Sequence, residues 1–123
     1  MAMNDADAES VLGRTYDAFN ARDVDAVLAG MHDDVDRPNA WDGGRVRGRD
    51  AVRAYWTRQF AEIDPRVTPT AFATRPGGRL AVDVHQVVRT PDGELISEDD
   101  IVHVYVMAAD GLVQRMDVQD GAV

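Results

Sequence analysis

Residues 18–35, AFNARDVDAVLAGMHDDV, decide how the rest of the chain is read. One helix ends in this stretch, a second begins, and the residues after the second suit a short strand. Asn20 and Arg22 close the first helix. Asp23 is placed to cap the second, its side-chain oxygen accepting from a free N–H of the first turn. Val24, Val27, Leu28 and Met31 then recur at the spacing of one apolar helical face, which predicts a helix over 24–32.

Upstream, Val11, Leu12, Thr15, Tyr16 and Phe19 share a face and predict a first helix over 8–21, with residues 1–7 as a frayed end. Downstream, Pro38 punctuates the chain, Asp42-Gly43-Gly44 marks a turn, and Arg45-Val46-Arg47 suits a short strand. Gly48 precedes a third helix, with Asp50 in its first turn, where a negative charge suits the helix dipole. Val52, Tyr55, Trp56, Gln59, Phe60 and Ile63 form its inner face, and Asp64-Pro65 ends it. Beyond this point the chain turns β-rich. Residues 67–74, 80–90, 94–107 and 112–119 are predicted strands, separated by Pro76-Gly77-Gly78, Pro91-Asp92-Gly93 and Asp110-Gly111. Helices followed by an antiparallel meander predict an α+β domain with helices on one face of the sheet.

Composition bounds the function. A chain of 123 residues suits a single domain with one core, and 45% apolar residues is ordinary for a globular protein. No apolar run has the length of a membrane span, and the polar, acidic first ten residues do not read as a secretory signal. A cytoplasmic location is the expectation. Cysteine is absent, which excludes disulfides and thiolate metal sites. The formal charge of −9 argues against a nucleic-acid partner and an anionic membrane surface. All thirteen basic residues are arginine, a bias without functional weight.

The strand alternation is informative. Val102, Val104 and Val106 share one face of the third long strand, and His103, Tyr105 and Met107 share the other. In the preceding strand Val82, Val84 and Val88 oppose Asp83, His85, Val87 and Arg89. One face of the sheet is thus expected to be aliphatic and the other to mix imidazole, phenol and carboxylate. Helices cover only one face, so the aliphatic second face suggests a homodimer.

Three segments, AFNARDVDAVLAGMHDDV, GRVRGRDAVRAYW and HVYVMAADGLVQRMDV, together resemble the nuclear-transport-factor-2-like superfamily, in its SnoaL-like and ketosteroid-isomerase-like branch. The resemblance covers most of the chain. It implies a cone-shaped α+β fold, a cystatin-like α+β roll, with three N-terminal helices packed on a curved antiparallel sheet around a ligand pocket. It implies a single SnoaL-like domain over 1–123 and a small apolar ligand of polyketide, steroid or terpenoid type. This fold hosts isomerases, cyclases, epoxide hydrolases, dehydratases and non-catalytic binders, so the reaction must come from the site. The isomerases' base aspartate, before the proline that follows the second helix, corresponds to Arg37, with Asp36 one residue earlier. Their first-helix tyrosine corresponds to Thr15, beside Tyr16, and their neutral aspartic acid to His103. All three positions differ, so the mechanism of those isomerases is not the one expected here.

His103 is the leading catalytic candidate, able to act as acid, base or hydrogen-bond donor near neutral pH. A simple hairpin at Pro91-Asp92-Gly93 would set Asp83 beside His103 and His85 beside Ile101. A carboxylate there would fix the imidazole tautomer, and a one-residue bulge would break the pairing. Asp36 is the second candidate acid. Tyr16 and His85 are candidates to orient a ligand, Asp36 and Arg37 sit where the cup should open, and Trp41, Tyr55, Trp56 and Tyr105 are candidate walls. Core packing serves Tyr16, Tyr55 and Trp56 equally well. Asp117 points inward or outward depending on the last hairpin. His32 suits the end of the second helix, and Glu98-Asp99-Asp100 reads as rim charge. The histidines at 32, 85 and 103 form no close metal motif, and no glycine-rich phosphate loop is present, so neither a metal nor a cofactor is expected. The pattern points to cofactor-independent acid/base chemistry of the isomerase, cyclase, dehydratase or epoxide hydrolase type. The alternative is a binding or dimeric interaction module without catalysis.

Overall fold

A computed structural model describes residues 5–39 and 42–120. In chain order the elements are α1 (Asp5–Asn20), α2 (Val24–Ala29), β1 (Met31–Pro38), β2 (Arg45–Arg47), α3 (Arg49–Glu62), β3 (Asp64–Arg75), a short 3-10 turn (Pro76–Gly78), β4 (Arg79–Arg89), β5 (Leu95–Met107) and β6 (Val113–Asp120). The fold is the α+β cone that the sequence implies, with helices packed on one face of a six-stranded, curved, unclosed sheet.

The junction of the first two helices forms as its residues dictate. Arg22 adopts a left-handed conformation with φ 63°, and the N–H groups of Arg22 and Asp23 turn back to the carbonyls of Phe19 and Ala18. This pattern satisfies the last free carbonyls of α1. Asp23 then accepts from the N–H of Ala26 and starts α2. Asn20 ties α1 to the sheet, its amide pairing with both the N–H and the carbonyl of Val67. The predicted second helix is three residues too long, because Met31 and His32 belong to β1. His32 is therefore a strand residue whose Nδ1 accepts from the N–H of Asp34, not a helix-end charge.

The strand order is β2-β1-β6-β5-β4-β3. Every pairing is antiparallel except β1 with β6, which is parallel, so the sheet is mixed where an antiparallel one was expected. Pro69 is tolerated because β3 lies at the sheet edge, next to a register shift between Pro69 and Ala71. The main core sits between the helices and the inner sheet face. Leu12 and Tyr16 of α1, Val27 and Leu28 of α2, and Val52, Tyr55 and Trp56 of α3 meet Val82, Val84, Tyr105, Val113 and Met116. Ala81, Val102 and Val104 form a separate buried cluster on the other face of the sheet. Among the described residues no helix is long and apolar enough to cross a membrane.

The β4–β5 hairpin departs from the simple one in a way that matters for the site. Thr90 and Gly93 close a tight turn, with Gly93 at φ 96°, a conformation that favours glycine. Arg89 then pairs with Leu95 but Val88 pairs with Ser97, so Ile96 is an extra residue in β5. One extra residue exchanges the faces of everything beyond it. His103 pairs with Val82, not Asp83, and His85 pairs with Asp100, not Ile101.

Candidate functional site

A cavity of about 400 Å³ opens between the helices and the inner face of the sheet. That size is ordinary for a small-molecule site. Aliphatic and aromatic side chains make most of its wall, among them Phe19, Val35, Trp56, Ile101 and Met116. Its polar lining is Thr15, Tyr16, Arg37, Tyr55, Gln59, Gln86, His103 and Tyr105. No carboxylate lines it among the described residues. Gln86 carries no motif that would single it out, but it shares the phase of Val82, Val84 and Val88 and so faces inward with them.

Three side chains meet on the wall. Tyr16 projects from the buried stripe of α1, and His103 and Tyr105 follow each other on the inner face of β5. The Tyr16 hydroxyl lies 2.7 Å from His103 Nδ1 and 2.7 Å from the Tyr105 hydroxyl, while Tyr105 and His103 are 3.5 Å apart. The Tyr16 and His103 rings stack with an interplanar angle of 12°. One hydroxyl proton serves two neighbours of Tyr16, so two arrangements satisfy the group. In one, Tyr105 donates to Tyr16, Tyr16 donates to Nδ1, and His103 carries its proton on Nε2. In the other, Nδ1–H donates to Tyr16, Tyr16 donates to Tyr105, and Nε2 presents a lone pair. Nε2 has no hydrogen-bond partner among the described residues.

Burial keeps all three groups neutral near pH 7. It depresses His103 to about 4, and the nearby positive charge of Arg37 adds to the effect. The Tyr105 phenol is pushed up to about 12 by the same burial. The Tyr16 phenol is raised further, again chiefly by burial and then by Tyr105.

Arg37 enters from β1. Its guanidinium lies over the rings of Tyr55 and Trp56, 5.0 Å and 5.2 Å from their centroids. Its Nε donates to the carbonyl of Pro38 at 3.3 Å. Burial lowers its pKa. The indole N–H of Trp56 is buried without a partner among the described residues.

Tyr16, Arg37, Trp56, His103 and Tyr105 therefore gather around one cavity, and other candidates lie elsewhere. Asp83 is exposed on the outer face, opposite Val102, so the expected Asp83–His103 pair does not form. His85 is on the same outer face. Its Nδ1 and Nε2 each lie 2.8 Å from a carboxylate, Asp100 and Glu98, and these hydrogen bonds raise its pKa. The acidic run of β5 is thus engaged by His85. Asp36 turns away from the cavity because side chains alternate along β1, and Arg37 takes the inward position. The Asp36 carboxylate pairs with Arg45 at 2.6 Å, Arg47 at 3.3 Å and Arg115 at 3.4 Å. Asp117 joins the same network, and its hydrogen bond from Arg115 holds its carboxyl below the usual range. Trp41 lies outside the described residues.

Several solved structures share this architecture. TerC, co-crystallised with polyporic acid, is 25% identical over 93% of this chain and 91% of its own, with a TM-score of 0.79. The Mycobacterium tuberculosis protein RV0760c, in complex with estradiol-17β-hemisuccinate, is 22% identical over 91% and 92% of the two chains, with a TM-score of 0.79. A putative polyketide cyclase from Xanthomonas campestris is 22% identical over 94% and 91%, with a TM-score of 0.77. The last two likenesses concern the fold alone. No curated protein matches the sequence significantly. The SnoaL-like domain model matches residues 12–116, a span running from Leu12 on the buried stripe of α1 to Met116 on the inner face of β6, and the chain belongs to the SnoaL-like domain family.

Proposed function

We propose that this protein is a cofactor-independent acid/base enzyme acting on a small, largely apolar, oxygenated molecule. The carrying observation is the hydrogen-bonded Tyr16–His103–Tyr105 group on the wall of an apolar cavity of about 400 Å³. In the arrangement with a lone pair on Nε2, His103 accepts a proton from the substrate. Its Nδ1–H stays bonded to the Tyr16 oxygen, which stabilises the imidazolium formed. In the other arrangement the Nε2–H donates to a substrate oxygen as charge develops on it. Tyr16 couples the two by passing its proton toward His103 or toward Tyr105. Isomerisation, cyclisation, dehydration and epoxide opening all use such a pair of steps. The SnoaL-like family supports the cyclase or isomerase end of this range.

Two observations favour a second reading, a binder without turnover. No carboxylate lines the cavity among the described residues, and His103 at about 4 is a weak base. Thermal-shift screening of polyketide-, steroid- and terpenoid-like compounds, followed by mass spectrometry of each stabilising compound after long incubation, separates the two. The enzyme reading expects a stabilising compound that changes mass or isomer composition. Stabilisation with every compound recovered intact overturns it.

A further part of this reading is a homodimer formed through the outer sheet face, the face that the helices leave uncovered. Light scattering is expected to give twice the 13.5 kDa chain mass, and a monomer mass at micromolar concentration would remove the dimer.

A further inference from the structure

We infer that the occupant of the cavity is an organic anion, an apolar body carrying one carboxylate-like oxyanion that docks on the guanidinium of Arg37. This rests on the cavity being a ligand site, as proposed above.

Arg37 is a cation in a largely apolar cavity that no carboxylate lines among the described residues. No acidic side chain forms an ion pair with it among the described residues. Its sequence neighbour Asp36 is committed to three other arginines on the opposite face of the sheet. Arg45 lies close enough to add to the positive field at Arg37. A charge in an apolar cavity is costly unless paired and hydrogen-bonded, and Arg22 and Arg45, by contrast, each pair with a carboxylate, Asp64 and Asp117.

The hydrogen bonds make the same point. Nε alone has an acceptor, the Pro38 carbonyl, leaving Nη1 and Nη2 without one among the described residues. Tyr55 and Trp56 hold the flat guanidinium by its face. A guanidinium held by its face keeps its edge for a planar acceptor, and two free N–H groups side by side match a carboxylate. The same anion would act on the chemistry. Arg37 is the charge that opposes protonation of His103, and an oxyanion on Arg37 cancels that opposition. Binding and proton uptake by His103 would thus reinforce each other.

The test uses a matched pair of probes, 2-naphthoate and 2-naphthamide, titrated calorimetrically into the whole protein at neutral pH. The anion is expected to bind about tenfold or more tighter than the amide. In Arg37→Met, which removes the charge and keeps an unbranched apolar side chain, that preference for the anion over the amide is expected to vanish. Near-ultraviolet circular dichroism checks the fold of the variant, and the wild-type ratio decides the matter even where the variant does not fold. Equal binding of both probes to the wild type overturns the charge preference and leaves the acid/base reading standing. Preference retained in folded Arg37→Met overturns the assignment to Arg37. Absence of binding by both overturns the cavity as a ligand site, and the proposed function with it.

Discussion

His103→Gln is expected to lower turnover by about 10²–10⁴-fold, the range for loss of a positioned acid/base group, and to remove a pH-dependent part of the stability. The second effect follows from burial. In the unfolded chain the imidazole titrates near its ordinary value of 6.5, and in the folded protein near 4. Between these values the unfolded chain holds a proton that the folded one does not. Stability therefore rises with pH across that window. The contribution is complete above the unfolded value and is lost as pH falls through the window toward the folded one. A gap of that width corresponds to about 3 kcal/mol. Urea unfolding of both proteins near pH 7 and near pH 4.5 reads it, because the carboxylates titrate in both and cancel in the difference. Wild type should lose ground to the variant on acidification. Parallel pH profiles would mean that His103 is not held neutral by its surroundings, and unchanged turnover would take it out of the mechanism.

How much of this was legible in the sequence depends on the distance over which each signal acts. The helix junction was readable because its information is local. Asn20, Arg22 and Asp23 act within a few residues of themselves, through a left-handed turn and a cap. The alternation inside β5 was readable for the same reason, and His103 and Tyr105 do share a face. What single strands do not carry is which face of β4 lies beside which face of β5. Neither phase of LAVDVHQVV is wholly apolar, since Gln86 interrupts one and Asp83 and His85 the other, so the strand alone does not fix its inner face. The decision falls to Ile96, an extra residue that no glycine or proline marks. With the faces exchanged, Asp83 and His85 lie on the outer face, Val82 and Val84 join the core, and Gln86 and Val88 line the cavity. Asp36 and Arg37 illustrate the same limit on β1. Their adjacency was plain, but which of them faces inward depends on an irregular pairing with β6, where Met31 pairs with Val113 and Asp36 with Arg115. The partner of His103 was missed because it comes from α1, a contact between residues 87 positions apart.

Tyr16→Phe should separate the two jobs of that missed partner. The hydroxyl is the shared member of the group, 2.7 Å from both His103 Nδ1 and the Tyr105 hydroxyl. Removing it leaves two buried polar atoms without it, and an orphaned buried group costs about 1–3 kcal/mol. Here the two survivors already stand 3.5 Å apart and can close on each other. The expected loss is therefore about 1–2 kcal/mol rather than the sum of two orphans. Tyr105→Phe leaves the Tyr16–His103 bond intact and should cost less. Turnover should fall more steeply than stability, by about 10²-fold, because the repaired pair keeps a hydrogen bond on Nδ1 but loses the stacked, centred donor that couples Nε2 to Tyr105. Urea midpoints and kcat for the two variants decide between the roles. If Tyr16→Phe loses stability while kcat stays at the wild-type value, the hydroxyl only fills and satisfies the core, and proton transfer at His103 needs no relay. If kcat falls in Tyr16→Phe and survives in Tyr105→Phe, the proton moves between Tyr16 and His103 alone, and Tyr105 serves to hold Tyr16 in place.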